Sequence, residues 1–189
     1  MTKRIAIGLT EGFADWECAL LMASARTYFG FEVVPASPGG SAVTSMGGLN
    51  VTPAAAVETV TPAEYDALVL CGGTIWETDA APDMSAQIRA FHEAGRPVGA
   101  ICGATLALAR AGVLDHSGHT SNAAEFLATA PEYRGHALYR DQPQAVRDGN
   151  LITAPGTAPI TFTAEIYRAL GFHNPELDHY VKLYGREHG

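Results

Sequence analysis

Short runs that are apolar at almost every position recur along this chain, and stretches with helical patterning separate them: RIAIGLT at 4–10, ALVL at 67–70, PVGAI at 97–101 and LIT at 151–153. A strand exposed on one face alternates apolar with polar residues, whereas a strand buried on both faces is apolar throughout. Runs of the second kind, alternating with helices, require a parallel sheet with helices on both faces, so the chain reads as α/β. The intervening stretches fit that scheme. Residues 11–30 give a helix closed by Gly30, followed by a β-branched run at Val33 and Val34. Gly-Gly inside VTSMGGLNV (43–51) predicts a hairpin. Thr61, Pro62 and Glu64 form the signature of a capping box, predicting a short helix before ALVL. Residues 81–95 and 103–112 give helices ended by Gly95 and Gly112, and Asn122 with Glu125 predicts a helix capped by Asn122. Asp148-Gly149 predicts a second hairpin, residues 156–171 another helix, and the tail from Asn174 a last surface helix.

The chain has 189 residues, 47% of them hydrophobic, which suits one domain spanning 1–189 with a substantial core. No apolar run approaches the roughly 20 residues that span a bilayer, and the apolar core near the start is too short for a signal peptide, so a soluble cytoplasmic protein with no membrane partner is expected. Three cysteines without CxxC spacing suggest neither a disulfide framework nor a zinc knuckle. With only 12 Lys and Arg and a net charge of -8, the chain lacks the basic patch that nucleic-acid binding needs. His116 and His119 have HxxH spacing but no accompanying carboxylate or cysteine cluster, so no metal and no cofactor is expected.

Cys102 stands where the run PVGAI stops and the Ala/Leu-rich helical run begins. Ligands of open α/β sheets bind outside the carboxyl ends of the strands, and a helix N-terminus there favours a thiolate. Ala100, Gly103 and Ala104 keep the turn uncrowded, as in a nucleophile elbow, although Ala100 occupies the place of the first glycine in GxSxG. A packed, unreactive cysteine satisfies the same pattern. Gly72 and Gly73 end another strand, where backbone N–H groups can approach a substrate; those of Gly73 and Gly103 suit an oxyanion hole, and a plain tight turn is the alternative. Trp76, in the loop after the glycine pair, is a candidate pocket wall or a packing residue, and Cys71 a candidate resolving thiol or a buried strand cysteine.

In order along nearly the whole chain, EGFADWE, LVLCGG, VGAICGATLALARAGVL and LITAPGTAP resemble the ThiJ/PfpI superfamily, the class I glutamine amidotransferase-like group. The resemblance implies a flavodoxin-like three-layer sandwich, a homodimer, a reactive cysteine at the elbow, here Cys102, and a carboxylate from the first helix, which Glu17 matches. Beside a thiolate that carboxyl has a raised pKa, stays protonated and donates a hydrogen bond to the sulfur. Read without the family, Glu17 is a solvated helix position. The family's histidines, at the start of the helix after the elbow helix or directly after the cysteine, are replaced by Asn122 and Gly103. Asn122 therefore reads as a helix cap or as an amide aimed into the pocket, and His119 as a substitute base or a loop histidine. Only Glu165 is offered where glutaminases carry His and Glu, so proteolysis and glutamine hydrolysis are disfavoured. The expectation is a cysteine-dependent hydrolase or lyase acting on a small electrophile, a carbonyl or amide compound. The alternatives are an oxidative-stress sensor using an oxidisable low-pKa cysteine and a non-catalytic chaperone.

Overall fold

The structure is a computed structural model that describes residues 2–173 and 175–186. Its elements follow in chain order: β1 Arg4–Gly8, α1 Asp15–Thr27, β2 Glu32–Ser37, β3 Val43–Thr44, β4 Asn50–Val51, β5 Ala55–Ala56, β6 Ala67–Leu70, α2 Ser85–Glu93, β7 Val98–Ile101, α3 Thr105–Arg110, α4 Ala124–Leu127, β8 Val146–Asp148, β9 Leu151–Ala154, α5 Pro159–Ala169 and α6 Pro175–Gly185. Seven strands form one sheet in the order β5-β2-β1-β6-β7-β9-β8, parallel except for the antiparallel pair β8 and β9. β3 and β4 form a separate antiparallel hairpin, as the Gly-Gly stretch requires.

Period-two burial divides the core into two layers. Ile5 and Ile7 of β1, Ala67 and Val69 of β6 and Ile152 of β9 face α1, α5 and α6, where they meet Leu21, Phe162, Ile166 and Leu177. Ala6, Leu68, Leu70, Val98 and Ala100 face the other way, toward Ile88 and Phe91 of α2, Leu106 and Leu108 of α3 and Leu127 of α4. Each residue of β6, β7 and β9 is buried, which is why those runs carry no polar alternation. The result is the flavodoxin-like three-layer sandwich expected from the sequence. Among the described residues no helix is long and apolar enough to cross a membrane.

Two local expectations change. Thr61 and Glu64 do meet, Oγ1 to Oε2 at 3.2 Å, but the segment makes a single turn and no helix. The chain leaves that turn at Asp66, whose carboxylate accepts from the backbone N–H of Arg4 and from Lys3, and it must enter β6 at once. α4 begins at Ala124 with Ala123 at its N-cap position and no side-chain cap, so Asn122 does not cap it. The Asp148-Gly149 hairpin stands, with Gly149 at φ 58, a conformation that residues with a Cβ adopt reluctantly. In the tail, helix α6 forms as expected, while Asn174 and residues 187–189 lie outside the described residues.

The strand order sets the site. β1 hands on to β2 on one side and has β6 on the other, so the connections reverse between β1 and β6. At such a switch point the carboxyl ends of the strands open a crevice. Gly99 in β7 keeps the supporting layer thin, because a Cβ there would lie 2.6 Å from Ile166 Cδ1 and 3.1 Å from Phe162 Cζ of α5. Gly99→Ala is expected to lower stability by about 1–3 kcal/mol through overpacking, read as a lower urea midpoint at unchanged slope.

Candidate active site

The adjacent strands β1, β6, β7 and β9 each deliver one part of the site just past their carboxyl ends: Glu17 at the start of α1, Gly72, Cys102 and Gly156. Cys102 is half-buried and has φ 56, making it the one residue other than glycine with positive φ among those described. Such a conformation strains an L-residue and persists only when its surroundings fix it. Thr105 Oγ1 donates to the Cys102 carbonyl at 2.7 Å and shares a 2.7 Å contact with Ser121 Oγ, so the elbow is tied to the segment that carries Asn122.

Glycines make room around the sulfur. A Cβ at Gly72 would strike Glu17 Oε2 and come within 2.7 Å of Cys102 Cβ, and one at Gly156 would lie 3.0 Å from both Cys102 Sγ and Glu17 Oε1. Gly103 is pressed against the Gly73 carbonyl, 2.6 Å from where its Cβ would stand. These close approaches are open only to glycine.

Asn122 occupies the remaining side. The Gly156 N–H donates to Asn122 Oδ1 at 3.0 Å, which fixes the amide's orientation and turns its Nδ2–H toward Cys102 Sγ at 3.3 Å. The sequence left Asn122 between a cap and a pocket amide, and the geometry places it against the sulfur. An amide held this way donates a hydrogen bond and cannot accept a proton.

Glu17 is fully buried, and neither carboxyl oxygen makes a hydrogen bond of regular geometry. Burial pushes its pKa up to about 7, against smaller pulls downward from the Cys102 thiol and the Gly72 N–H. Burial likewise pushes Cys102 up to about 11; the Asn122 amide and the Gly103 N–H pull it down, and an ionised Glu17 pushes it further up. The sequence reading expects the dipole of the following helix to acidify this thiol. That helix has six residues and starts after a 3₁₀ turn at Cys102–Ala104, too little to outweigh burial. One negative charge is therefore shared by the pair, and sulfur holds it only while Glu17 is protonated.

Other candidates take structural places. His119 is fully buried, with Nε2 2.6 Å from Tyr133 Oη and Nδ1 2.7 Å from the Ser117 carbonyl, so both nitrogens are engaged and it is no substitute base. Burial lowers its pKa. Trp76 is 1% exposed and donates to the Cys71 carbonyl at 3.0 Å; it packs beneath Gly103 and walls no open pocket. Cys71 is buried, directs its thiol to the Ala14 carbonyl at 3.4 Å and neighbours Cys18, so it belongs to the core. Glu165 is bound by Arg147 and Arg168. Among the described residues no cluster of His, Cys, Asp or Glu could hold a metal ion.

The model of the DJ-1/PfpI family matches residues 3–169, nearly the whole chain. The chain belongs to the DJ-1/PfpI family. A crystal structure of a DJ-1 superfamily protein, Atu0886 from Agrobacterium tumefaciens, is 47% identical over 100% of both chains, with a TM-score of 0.96. A thiJ/pfpI family protein from Bacillus anthracis is 30% identical, with TM-score 0.87 over 99% of this chain and 92% of its own. YoaZ of Bacillus subtilis, described as an uncharacterized protease, is 31% identical over 93% of this chain and 87% of its own.

This DJ-1/PfpI chain holds two site residues that the sequence reading passed over. Gly156 lies within LITAPGTAP, and the rule applied to Gly72, a glycine at the carboxyl end of a buried strand, would have found it. Trp16, beside Glu17, donates from Nε1 to the Gly156 carbonyl at 3.1 Å.

Two outcomes follow for this family member. In unfolded chains a Glu ionises near 4.5, whereas here the pair holds its proton to about pH 7. A pKa raised by folding contributes stability at low pH that is lost as pH rises to the folded value. Wild type is therefore expected to lose about 3 kcal/mol relative to Glu17→Gln between roughly pH 4.5 and 7, measured by urea unfolding of both across that window. Gly156→Ala sets a methyl against the sulfur and is expected to slow alkylation of Cys102 by about tenfold, equivalent to about 1.4 kcal/mol, read by intact mass against time.

Proposed function

We propose that this protein is a Cys102-dependent enzyme acting on a small carbonyl or amide electrophile, with the pair's charge on sulfur and its proton on Glu17. The observation that carries this reading is the unequal solvation of the two sites. The Glu17 carboxyl is fully buried without a regular hydrogen bond, while Cys102 Sγ is half-buried and receives the Asn122 N–H. A carboxylate in that position loses several kcal/mol of hydration with little in return, whereas a thiolate is a larger, softer anion that already has a donor.

The reaction follows from that placement. The thiolate adds to the carbonyl carbon, a C–S bond forms, and the π electrons move to oxygen. The backbone N–H groups of Gly73 and Gly103 face the oxyanion, which takes the Glu17 proton. Glu17 is then a carboxylate beside the adduct and serves as the base for the next proton transfer. Asn122 cannot remove a proton from the thiol, so the Cys–His route to peptide and glutamine hydrolysis is closed at this position. The partner is the small electrophile, and a second copy of the chain forms the expected homodimer.

A second reading, oxidation sensing, draws on the same half-exposed sulfur and its two donors, which suit the oxygens of a sulfinate. Turnover separates them. Cys102→Ser is expected to abolish consumption of 2-oxoaldehydes and small amides by the wild type; a wild type that turns over none of them, yet is oxidised by mild peroxide at Cys102 alone, favours the sensor.

The charge assignment has its own test in the pH dependence of Cys102 alkylation. With charge on sulfur, the wild-type midpoint lies near neutrality and Glu17→Gln leaves it there or raises it. With charge on Glu17, the wild-type midpoint lies near 11, and removing the carboxylate lowers it.

A further inference from the structure

Trp16 is 54% exposed, although it is the largest type of side chain, and its indole is not loose. Nε1 donates to the Gly156 carbonyl at 3.1 Å, and the Gly156 N–H is held by Asn122 Oδ1, so that peptide is clamped from both ends. The same residue stands against Cys102 Sγ and Glu17 Oε1. Consecutive residues at the start of α1 therefore differ: Glu17 is buried beside the sulfur, and Trp16, one residue away, is exposed and bonded to Gly156, which adjoins that sulfur. An aromatic ring fixed by its edge and open on its face offers a flat apolar surface. Glu17, Asn122, Gly72 and Gly156, which stand against Cys102, carry no positive charge, so an anionic substrate would find no counter-charge among them.

We propose that Trp16 is the specificity-determining wall of the site and selects uncharged electrophiles that carry a flat apolar or aromatic substituent. This rests on the reading of Cys102 as the reacting group, and the two can fail separately.

The covalent arm compares iodoacetamide with N-benzyl iodoacetamide. Each forms an S–C bond at Cys102 and expels iodide, and each rate is divided by that of glutathione. The benzyl preference of wild type is expected to be about tenfold, to vanish in Trp16→Ala and to persist largely in Trp16→Phe, which keeps a face but loses the N–H. A ratio unchanged in Trp16→Ala overturns the proposal. So does a loss in Trp16→Phe as large as in Trp16→Ala, because the hydrogen bond to Gly156 would then be what matters. The equilibrium arm uses Cys102→Ala protein, where benzamide is expected to shield the exposed tryptophan from acrylamide quenching and acetamide is not, Trp76 being buried in either case. Absence of shielding, or a Trp16 that acrylamide cannot reach because a second copy covers it, overturns the proposal. A wild-type sulfur that resists alkylation at neutral pH rejects the thiolate reading alone and leaves the equilibrium arm to decide Trp16.

Discussion

A carboxyl group enclosed without regular hydrogen bonds is the constraint on which the site depends. Glu17 sits at the start of a helix, a place where an acidic residue is ordinarily stabilised by the helix dipole and by water. In this protein the side chain is buried, turned past the carboxyl ends of the inner strands against Gly72, Cys102 and Gly156. Enclosure raises the pKa of the carboxyl to about neutrality, and a protonated Glu17 is what the proposed charge on the neighbouring sulfur requires. Remove the enclosure and Glu17 becomes an ordinary carboxylate that repels a thiolate. The glycines on either side therefore serve electrostatics as much as sterics, since any side chain in their place would push the carboxyl toward solvent.

The scaffold makes that enclosure possible because four neighbouring parallel strands end together. β1, β6, β7 and β9 are in register, so the residues that follow them converge in one crevice although they are far apart in sequence. The α1 end of the crevice is further braced by Asp15, whose carboxylate accepts from Ser45 Oγ and the Gly47 N–H and holds the β3–β4 hairpin against the helix start. Its pKa is lowered by those hydrogen bonds, that of Ser45 foremost. Asp15 and Glu17 thus show opposite fates two residues apart: one has its pKa lowered by hydrogen bonds, the other has its pKa raised by burial.

Much of this was legible in the residues. The apolar runs gave the sheet, and their lack of alternation gave its double-sided burial. The turn at Cys102 gave the elbow, and the glycine pair after β6 marked a second contributing strand end. What stayed hidden depended on contacts between distant segments. Asn122 carries the local signature of a cap, yet its amide is bound to Gly156, 34 residues away, and no pattern around position 122 records that. Thr61 and Glu64 satisfy a capping box locally, but the demands of β6 leave no room for the helix. Gly156 was readable in principle, because the logic used for Gly72 applies to it unchanged. The raised pKa of Glu17 was expected from the charge of a neighbouring thiolate, whereas its first cause is burial, which depends on the whole fold and could not be read locally.

Asn122 sets what proton chemistry its position beside Cys102 can supply. A histidine in its place could take the thiol proton and later return it, which is what hydrolysis of a poor leaving group requires. The amide presents a donor toward sulfur and an acceptor toward Gly156 and has no proton-transfer capacity. In the proposed reaction that capacity falls to Glu17 alone, which starts protonated and becomes a base only after giving its proton away. Chemistry suited to such an order begins with addition to an electrophile that needs a proton on oxygen, and only afterwards asks for a base. The sequence of demands on Glu17, first acid and then base, is therefore the physical reason to look among carbonyl substrates before amides.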